Sequence, residues 1–459
     1  MSEPLAIPQR EFDLYAMHLP HGPNYGDARL LSTWRTKRCT AVGATFSLPL
    51  PEPYGFLALR RRVDRCFALV EERVGFRTHD DALETMRAGL RVDDGPEPMP
   101  SGERRRLPLF DLEGRRPCSI FKLLTQTDSH RSAARAVEEL YLALPQPDLN
   151  FASDFQTSNF DARLWELYVF ACIREQGTPV VQDSASPDFH LKTDSAEGFV
   201  EAVTANSPEP RQSGFPPPQF APTDPAERMS GDAAARFAKT LRSKLQRAYD
   251  QMPHVRGRPF ALALADFHGP STMTWTREAL PTYLYGLFPL VKETASGKVA
   301  TAEPLARLRG HPHIPAGLFR DESTRGLSAV IFSNAGTISK FNRMGFLAGF
   351  RPQGVTMQRS GVLFDRRPGA LEPIRFDYDI LSSEYARLWP GGEAWCVELE
   401  VYHNPMASVP FDFDLLPGAA HWFERGGEIV CKTIWKNSVL ASVTTVLSPT
   451  LKRELGRLA

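Results

Sequence analysis

The chain has 459 residues, 42% of them hydrophobic, with 54 lysines and arginines against 54 aspartates and glutamates. This balance excludes a generally basic coat for nucleic acid and an acidic disordered chain, so any anion-binding surface must be local. The composition is globular, and the length points to about two or three domains.

Residues 1–20 carry charges and prolines without an apolar core, which argues against a secretory signal. The longest apolar stretches, such as FALALA at 260–265, are too short to cross a bilayer. Six cysteines stand at 39, 66, 118, 172, 396 and 431 with no C-x-x-C pair, as expected of reduced thiols in a cytoplasmic protein.

Residues 1–150 read as an N-terminal mixed domain of unknown role. Within it, LRRRVDRCFALVEERV (59–74) reads as a helix whose arginines form a solvated face, and SGERRRLPLFDLEGRRP (101–117) as an exposed basic loop or hairpin. The stretch 144–159 reads as a loop. FDARLWELYVFACIREQG then predicts a helix, apolar nearly all round and therefore buried, with Asn159 as N-cap and Gly177 as C-cap.

Three strands are expected next, at 178–182, 187–193 and 198–205. The proline-rich stretch 206–227 fits no regular element. One long helix is expected over 228–252, with an apolar stripe of Ala234, Phe237, Ala238, Leu241, Leu245, Ala248, Tyr249 and Met252. A buried strand follows at 258–267, then a helix at 277–288 and a strand at 326–333 that extends the same sheet. The residues after 350 read as β-rich. The expected architecture is α/β, a central mixed β-sheet flanked by helices, divided as 1–150, 151–345 and a β-rich 346–459.

Three acids in this stretch carry the chemistry. Glu166 is the only charge between Leu164 and Ile173 on the apolar helix. Asp188 follows Pro187 at the start of one strand, and Glu201 sits inside the run Phe199-Val200-Glu201-Ala202-Val203 on the next. A buried carboxylate needs a partner, and several carboxylates cannot neutralise one another. A divalent cation with hard oxygen ligands resolves the repulsion, and on that view removing one acid relieves it.

The order helix, three strands, helix, strand, with Pro187-Asp188 on the second strand and Glu201 on the third, resembles the PD-(D/E)XK nuclease superfamily over about residues 160–268. The resemblance implies a restriction-endonuclease-like αβββαβ core. It implies Mg²⁺ or Mn²⁺ held by Asp188 and Glu201, with the Ala202 carbonyl as a further ligand and Glu166 as the helix acid. The sequence departs from the motif at its lysine, since the triplet is Glu201-Ala202-Val203. Some members supply that lysine from the following helix. Lys244, at the edge of the apolar stripe, matches that position, or else it covers apolar surface with its stem. Gln246 and Tyr249 are similar to a Gln/Tyr motif of some members, but at a different spacing, and Tyr249 also reads as core.

The implied activity is a metal-dependent hydrolase cutting phosphodiester bonds of nucleic acid, with DNA as the expected substrate. Arg236, Lys239, Arg242 and Arg247, together with the proline-rich loop, would guide the backbone, and His190 and Lys192 share the strand face of Asp188. His190 reads equally as a structural histidine, and Lys192 as a solvated strand end. Protein partners through the N- or C-terminal regions are compatible with this reading, and a membrane is not. The alternative is a catalytically inactive nuclease fold serving as a binding or scaffolding subunit. His311 and His313 lack a third zinc ligand. Asp266 and His268 close a strand, and Lys340 and Arg343 read as phosphate contacts or a solvated helix start. There is no Walker A loop, G-x-G-x-x-G fingerprint, G-x-S-x-G elbow or H-E-x-x-H helix.

Overall fold

A computed structural model describes residues 3–92, 95–181, 184–206, 218–295, 297–367 and 369–449. The chain forms two compact units. The first reaches Val180 and takes in Lys340–Val355, and the second holds Val181–Ser339 and Thr356–Leu447. These units do not follow the boundaries expected at 150 and 345.

In the first unit β1 (Leu5–Ala6), β2 (Arg29–Arg35), β3 (Ala41–Ser47), β4 (Tyr54–Arg61) and β5 (Phe67–Phe76) pair in chain order, each antiparallel to the last. Alternate residues of β3 and β4 face opposite ways. Val42, Ala44, Leu57 and Leu59 meet Phe12 and Tyr15 of α1 (Gln9–Ala16), while Ala41, Phe56 and Ala58 meet Met86 and Leu90 of α2 (His79–Arg91). The helix expected at 59–74 is therefore a β-hairpin. Its turn is set by Arg65 at φ 73° and by Asp64, which accepts from Arg62 Nε at 3.0 Å. The arginines are consumed locally: Arg61 lies 3.7 Å over the Phe67 ring and bonds Glu139 at 2.7 Å.

The stretch 101–117 is a loop, as expected. Helices α3 (Ser119–Gln126), α4 (Arg131–Ala143), α5 (Phe151–Gln156) and α6 (Phe160–Glu175) follow. α5 falls inside the segment expected to be a loop, held by Phe151 and Phe155, which are both fully buried. α6 ends as expected, with Gly177 at φ 84°, where a Cβ would collide with Asn24. Asn159 stands at the N-cap but makes no side-chain capping bond. Arg174, near the end of α6, bonds the Met17 carbonyl at 3.3 Å. A helix apolar nearly all round needs cover, and α6 contacts α4 and α5 and reaches the N-terminal residues through Arg174.

Apart from Val180, the main sheet belongs to the second unit. It comprises β6 (Val180–Val181), β7 (Phe189–Lys192), β8 (Glu197–Asn206), β9 (Phe260–Phe267), β14 (Ala329–Phe332), β17 (Glu400–His403), β18 (Ala420–Arg425) and β19 (Glu428–Lys432). Their order across the eight-stranded sheet is β19-β18-β17-β14-β9-β8-β7-β6. β8, β9 and β14 run parallel, whereas β7 is antiparallel to β8 and β17 to β14, so the sheet is mixed. Between β9 and β14 lie α9 (Ala279–Tyr285), the hairpin β10 (Leu287–Thr294) and β11 (Gly297–Pro304), and the short pair β12 (Arg307–Leu308) and β13 (His311–Pro315). A smaller sheet sets β15 (Thr356–Leu363) between β16 (Ile374–Asp379) and β20 (Val439–Leu447).

The helix expected at 228–252 is broken. α7 (Pro225–Ser230) stops at Gly231, where a Cβ would lie 2.6 Å from the Glu227 carbonyl oxygen, and α8 runs over Asp232–Leu245. The chain then turns through Ala248 in the left-handed conformation, φ 50° and ψ 48°. Ala234, Phe237, Ala238 and Leu241 of α8 pack on Phe199 and Val203 of β8 and on Phe260, Leu262 and Leu264 of β9. Residues 207–217 of the proline-rich segment lie outside the described residues. α10 (Ile338–Leu347) and α11 (Ser383–Leu388) complete the helices named here. Among the described residues no helix is long and apolar enough to cross a membrane, and no disulfide joins the six cysteines.

The second unit also buries a histidine pair. His421 Nε2 donates to the Leu416 carbonyl at 2.9 Å, so its Nδ1 accepts, and His403 Nε2 donates to it at 2.9 Å. Burial first, then the neighbouring His421, pushes the His403 pKa from its ordinary 6.5 down to about 3. The unfolded chain thus takes up a proton at this residue, as pH falls from 6.5 toward 3, that the folded chain refuses. Stability is fully present above 6.5 and is lost through that window, by up to about 1.4 kcal/mol per pH unit. Urea unfolding from pH 7 to 4.5 should show a shallower decline in His403→Phe than in the parent. Identical slopes would remove the histidine from the acid sensitivity.

Candidate functional site

Glu201 points to the α8 side of β8, because Phe199 and Val203, two residues either way, both enter the core beneath α8. It is only 5% exposed. Lys244 Nζ, in the last turn of α8, donates to Glu201 Oε1 at 2.8 Å. Tyr249 OH donates to the same oxygen at 2.7 Å. Burial first, then this bond to Glu201, holds the Tyr249 phenol well above its ordinary pKa, so it remains a donor. Arg247 Nη1 reaches the Tyr249 oxygen at 3.4 Å. The chain enters Tyr249 through the left-handed turn at Ala248.

Asp188 joins from the neighbouring strand. β7 and β8 pair Phe189 with Val200, and one further step of that register sets Asp188 against Glu201. Facing residues of an antiparallel pair share a face. Asp188 Oδ2 accepts from the Ala202 amide at 2.7 Å, which fixes it beside β8. The structure therefore brings together Asp188, Glu201 and Lys244, with Tyr249 as a fourth member that the apolar stripe assigns to the core. Tyr249 is both, stacked 5.1 Å from Phe260 while its hydroxyl serves Glu201.

Comparison with protein-family models, with curated proteins and with solved structures finds no match. The site therefore rests on its own geometry.

Glu166 is buried in the first unit and bonds Arg163 at 2.9 Å, on the preceding turn of α6. Arg163 also bonds Asp154 at 2.7 Å. His190 takes the structural reading: it stacks 4.3 Å from Phe199 and bonds Glu197 at 2.7 Å. Against the upward push of burial, His190 and Arg258 hold Glu197 below the usual carboxylate range. Lys192 is exposed at the end of β7. On α8, Lys239 is exposed, Arg236 is half-buried and Arg242 pairs with Asp321 at 3.1 Å. Lys340 and Arg343 fit neither reading given to them, because both are buried in α10. His311 bonds Asp232 at 2.8 Å. Asp266 accepts from Thr276 Oγ1 at 2.7 Å and is also bonded by His268, an ordered strand end.

Among the described residues no three His, Cys, Asp or Glu side chains converge as a metal cage. The donor chemistry at the pair still suits a hard cation, since two carboxylates stand on adjacent strands. Lys244 and Tyr249 both use Glu201 Oε1, so neither of those bonds engages Oε2.

Proposed function

We propose that the chain is a metal-dependent phosphodiesterase acting on nucleic acid, with DNA as the substrate to test first. The observation that carries this reading is Lys244 Nζ at 2.8 Å from Glu201 Oε1, while Asp188 stands against Glu201 on the next strand. This supports the resemblance to a PD-(D/E)XK core, with helix α6, strands β6 to β8, helix α8 and strand β9 in the matching order and Lys244 in place of the strand lysine.

Asp188 and Glu201 would hold Mg²⁺ or Mn²⁺, with the Ala202 carbonyl beside them. When bound, the ion supplies an activated water and charge neutralisation at phosphate. The chain's own residues do the rest. Tyr249 and Lys244 fix the rotamer of Glu201 through one oxygen. Lys244 presents an ammonium beside the carboxylates, where it can bind a phosphate oxygen as charge develops on it.

The second reading, an inactive nuclease fold serving as a scaffold, draws on one observation. Glu201 is already satisfied by Lys244 and Tyr249, so its buried charge is stable with no ion present. Purified protein incubated with linear and circular DNA should yield fragments with Mg²⁺ or Mn²⁺ and none with excess EDTA. Intact DNA under every condition, together with no Mn²⁺ binding dependent on Asp188 or Glu201, would favour the scaffold.

A further inference from the structure

The connection from α8 to β9, residues 246–259, carries three arginines, Arg247, Arg256 and Arg258, against a single acid, Asp250. All three arginines are exposed. The connection lies along the β7–β8 hairpin. His254 Nε2 donates to the Ser186 carbonyl at 2.8 Å, and the Phe199 amide donates to the Pro259 carbonyl at 2.8 Å. Arg258 Nε reaches Glu197 Oε2 at 3.0 Å, and Glu197 is the register partner of exposed Lys192. From Glu201 down to Glu197 is four residues of β8, about 13 Å at the rise of a strand. At the upper end Arg247 bonds Tyr249, whose hydroxyl serves Glu201. Cations thus stand at both ends of this span, Arg247 beside Tyr249 and Arg258 and Lys192 beside Glu197, supplied mainly by a segment outside the regular elements.

We infer that Arg247, Arg256, Arg258 and Lys192 form a track that binds the sugar–phosphate backbone of nucleic acid and feeds it to Glu201. This rests on the proposed phosphodiesterase reading, and it moves the binding surface away from Arg236 and Arg242 of α8. Arg242 pairs with Asp321 at 3.1 Å as Arg258 pairs with Glu197 at 3.0 Å, whereas among the described residues the Arg256 guanidinium bonds only the Gln251 carbonyl, at 3.2 Å. Glu197 orients Arg258 without burying it. The track offers guanidinium and ammonium groups, which contact phosphates rather than specify bases, so binding should be independent of sequence and steeply salt-dependent.

The test separates binding from cleavage. Fluorescence anisotropy in EDTA, where no metal-dependent cleavage occurs, would measure single-stranded and duplex DNA oligonucleotides across a salt series. Arg256→Glu/Arg258→Glu should weaken binding by about tenfold or more and flatten the salt slope by about one unit for each phosphate no longer neutralised. Arg236→Glu/Lys239→Glu should stay within about twofold of the parent on the same scale. If the double variant fails to fold, Arg256→Ala/Lys192→Ala removes two exposed cations and should still flatten the slope. Unchanged affinity and slope in the track variants, or a larger drop in the α8 variant, overturns the track even where the protein cuts DNA. Weakened binding in the track variants of a protein that never cuts DNA upholds the track and fails the phosphodiesterase reading.

Discussion

Glu201→Gln should bring metal-dependent cleavage to background while leaving the fold in place. The amide keeps an acceptor for Lys244 and Tyr249, which now bond Glu201 Oε1 at 2.8 and 2.7 Å, but it removes the negative charge that holds a divalent cation. The expected loss is at least about a hundredfold, since both the activated water and the charge neutralisation depend on the bound ion. Glu201→Ala is a poorer experiment. Repulsion between acids predicts that removing one stabilises the protein, but the bonding reverses that sign. Alanine strands a half-buried ammonium and a buried phenol, and breaking a buried pair costs about 3–5 kcal/mol. Thermal unfolding should therefore place Glu201→Gln near the parent and Glu201→Ala well below it. A Glu201→Gln protein that cuts DNA at the parent rate would remove Glu201 from the chemistry.

Much of this site is legible in the sequence because its parts are local. An acid inside the apolar run 199–203 marks a buried charge on a strand, and a lysine at the edge of an α8 stripe marks a side chain able to reach back toward the sheet. The remainder depends on conformation. Tyr249 meets Glu201 after a left-handed turn at Ala248, and nothing in QRAYDQ announces that turn. Gly231 is plain in the sequence, but the apolar spacing on both sides of it suggests one helix. The pattern 59–74 fits a helix by its charges. Arg61 and Arg62, however, are neutralised by Glu139 and Asp64, and the turn at Arg65 decides the matter. The partner of Glu166 lies within reach of sequence reasoning, since Arg163 stands three residues earlier on the same helix face. The eight-stranded sheet is less accessible, because β17 to β19 join it from more than a hundred residues downstream of β9, and such pairing leaves no local signal.

Val203, where the resemblance to the PD-(D/E)XK motif would place a lysine, has a physical reason to be apolar. Val203 is 5% exposed and packs beneath α8 among Phe237, Leu241 and Leu264. A lysine there would have to bury its stem and displace that packing. At position 244 the same ammonium costs less: it sits in the last turn of α8, where the helix dipole favours a cation, and its side chain keeps 22% of its exposure. Lys244→Ala should therefore lose about a hundredfold or more in cleavage rate. Mn²⁺ binding should persist, since Asp188 and Glu201 remain and a repelling charge has gone. Calorimetric Mn²⁺ titration and single-turnover cleavage on the same sample separate the two effects. Lys244→Arg should fold as the parent does but recover only part of the rate, because a planar guanidinium cannot occupy the place of a compact ammonium. Lys239→Ala, on the solvent side of α8, should keep the parent rate. If Lys244→Ala cuts as fast as the parent while Lys192→Ala or His190→Ala does not, the face of β7 carries the chemistry and Lys244 is only the structural counter-ion of Glu201.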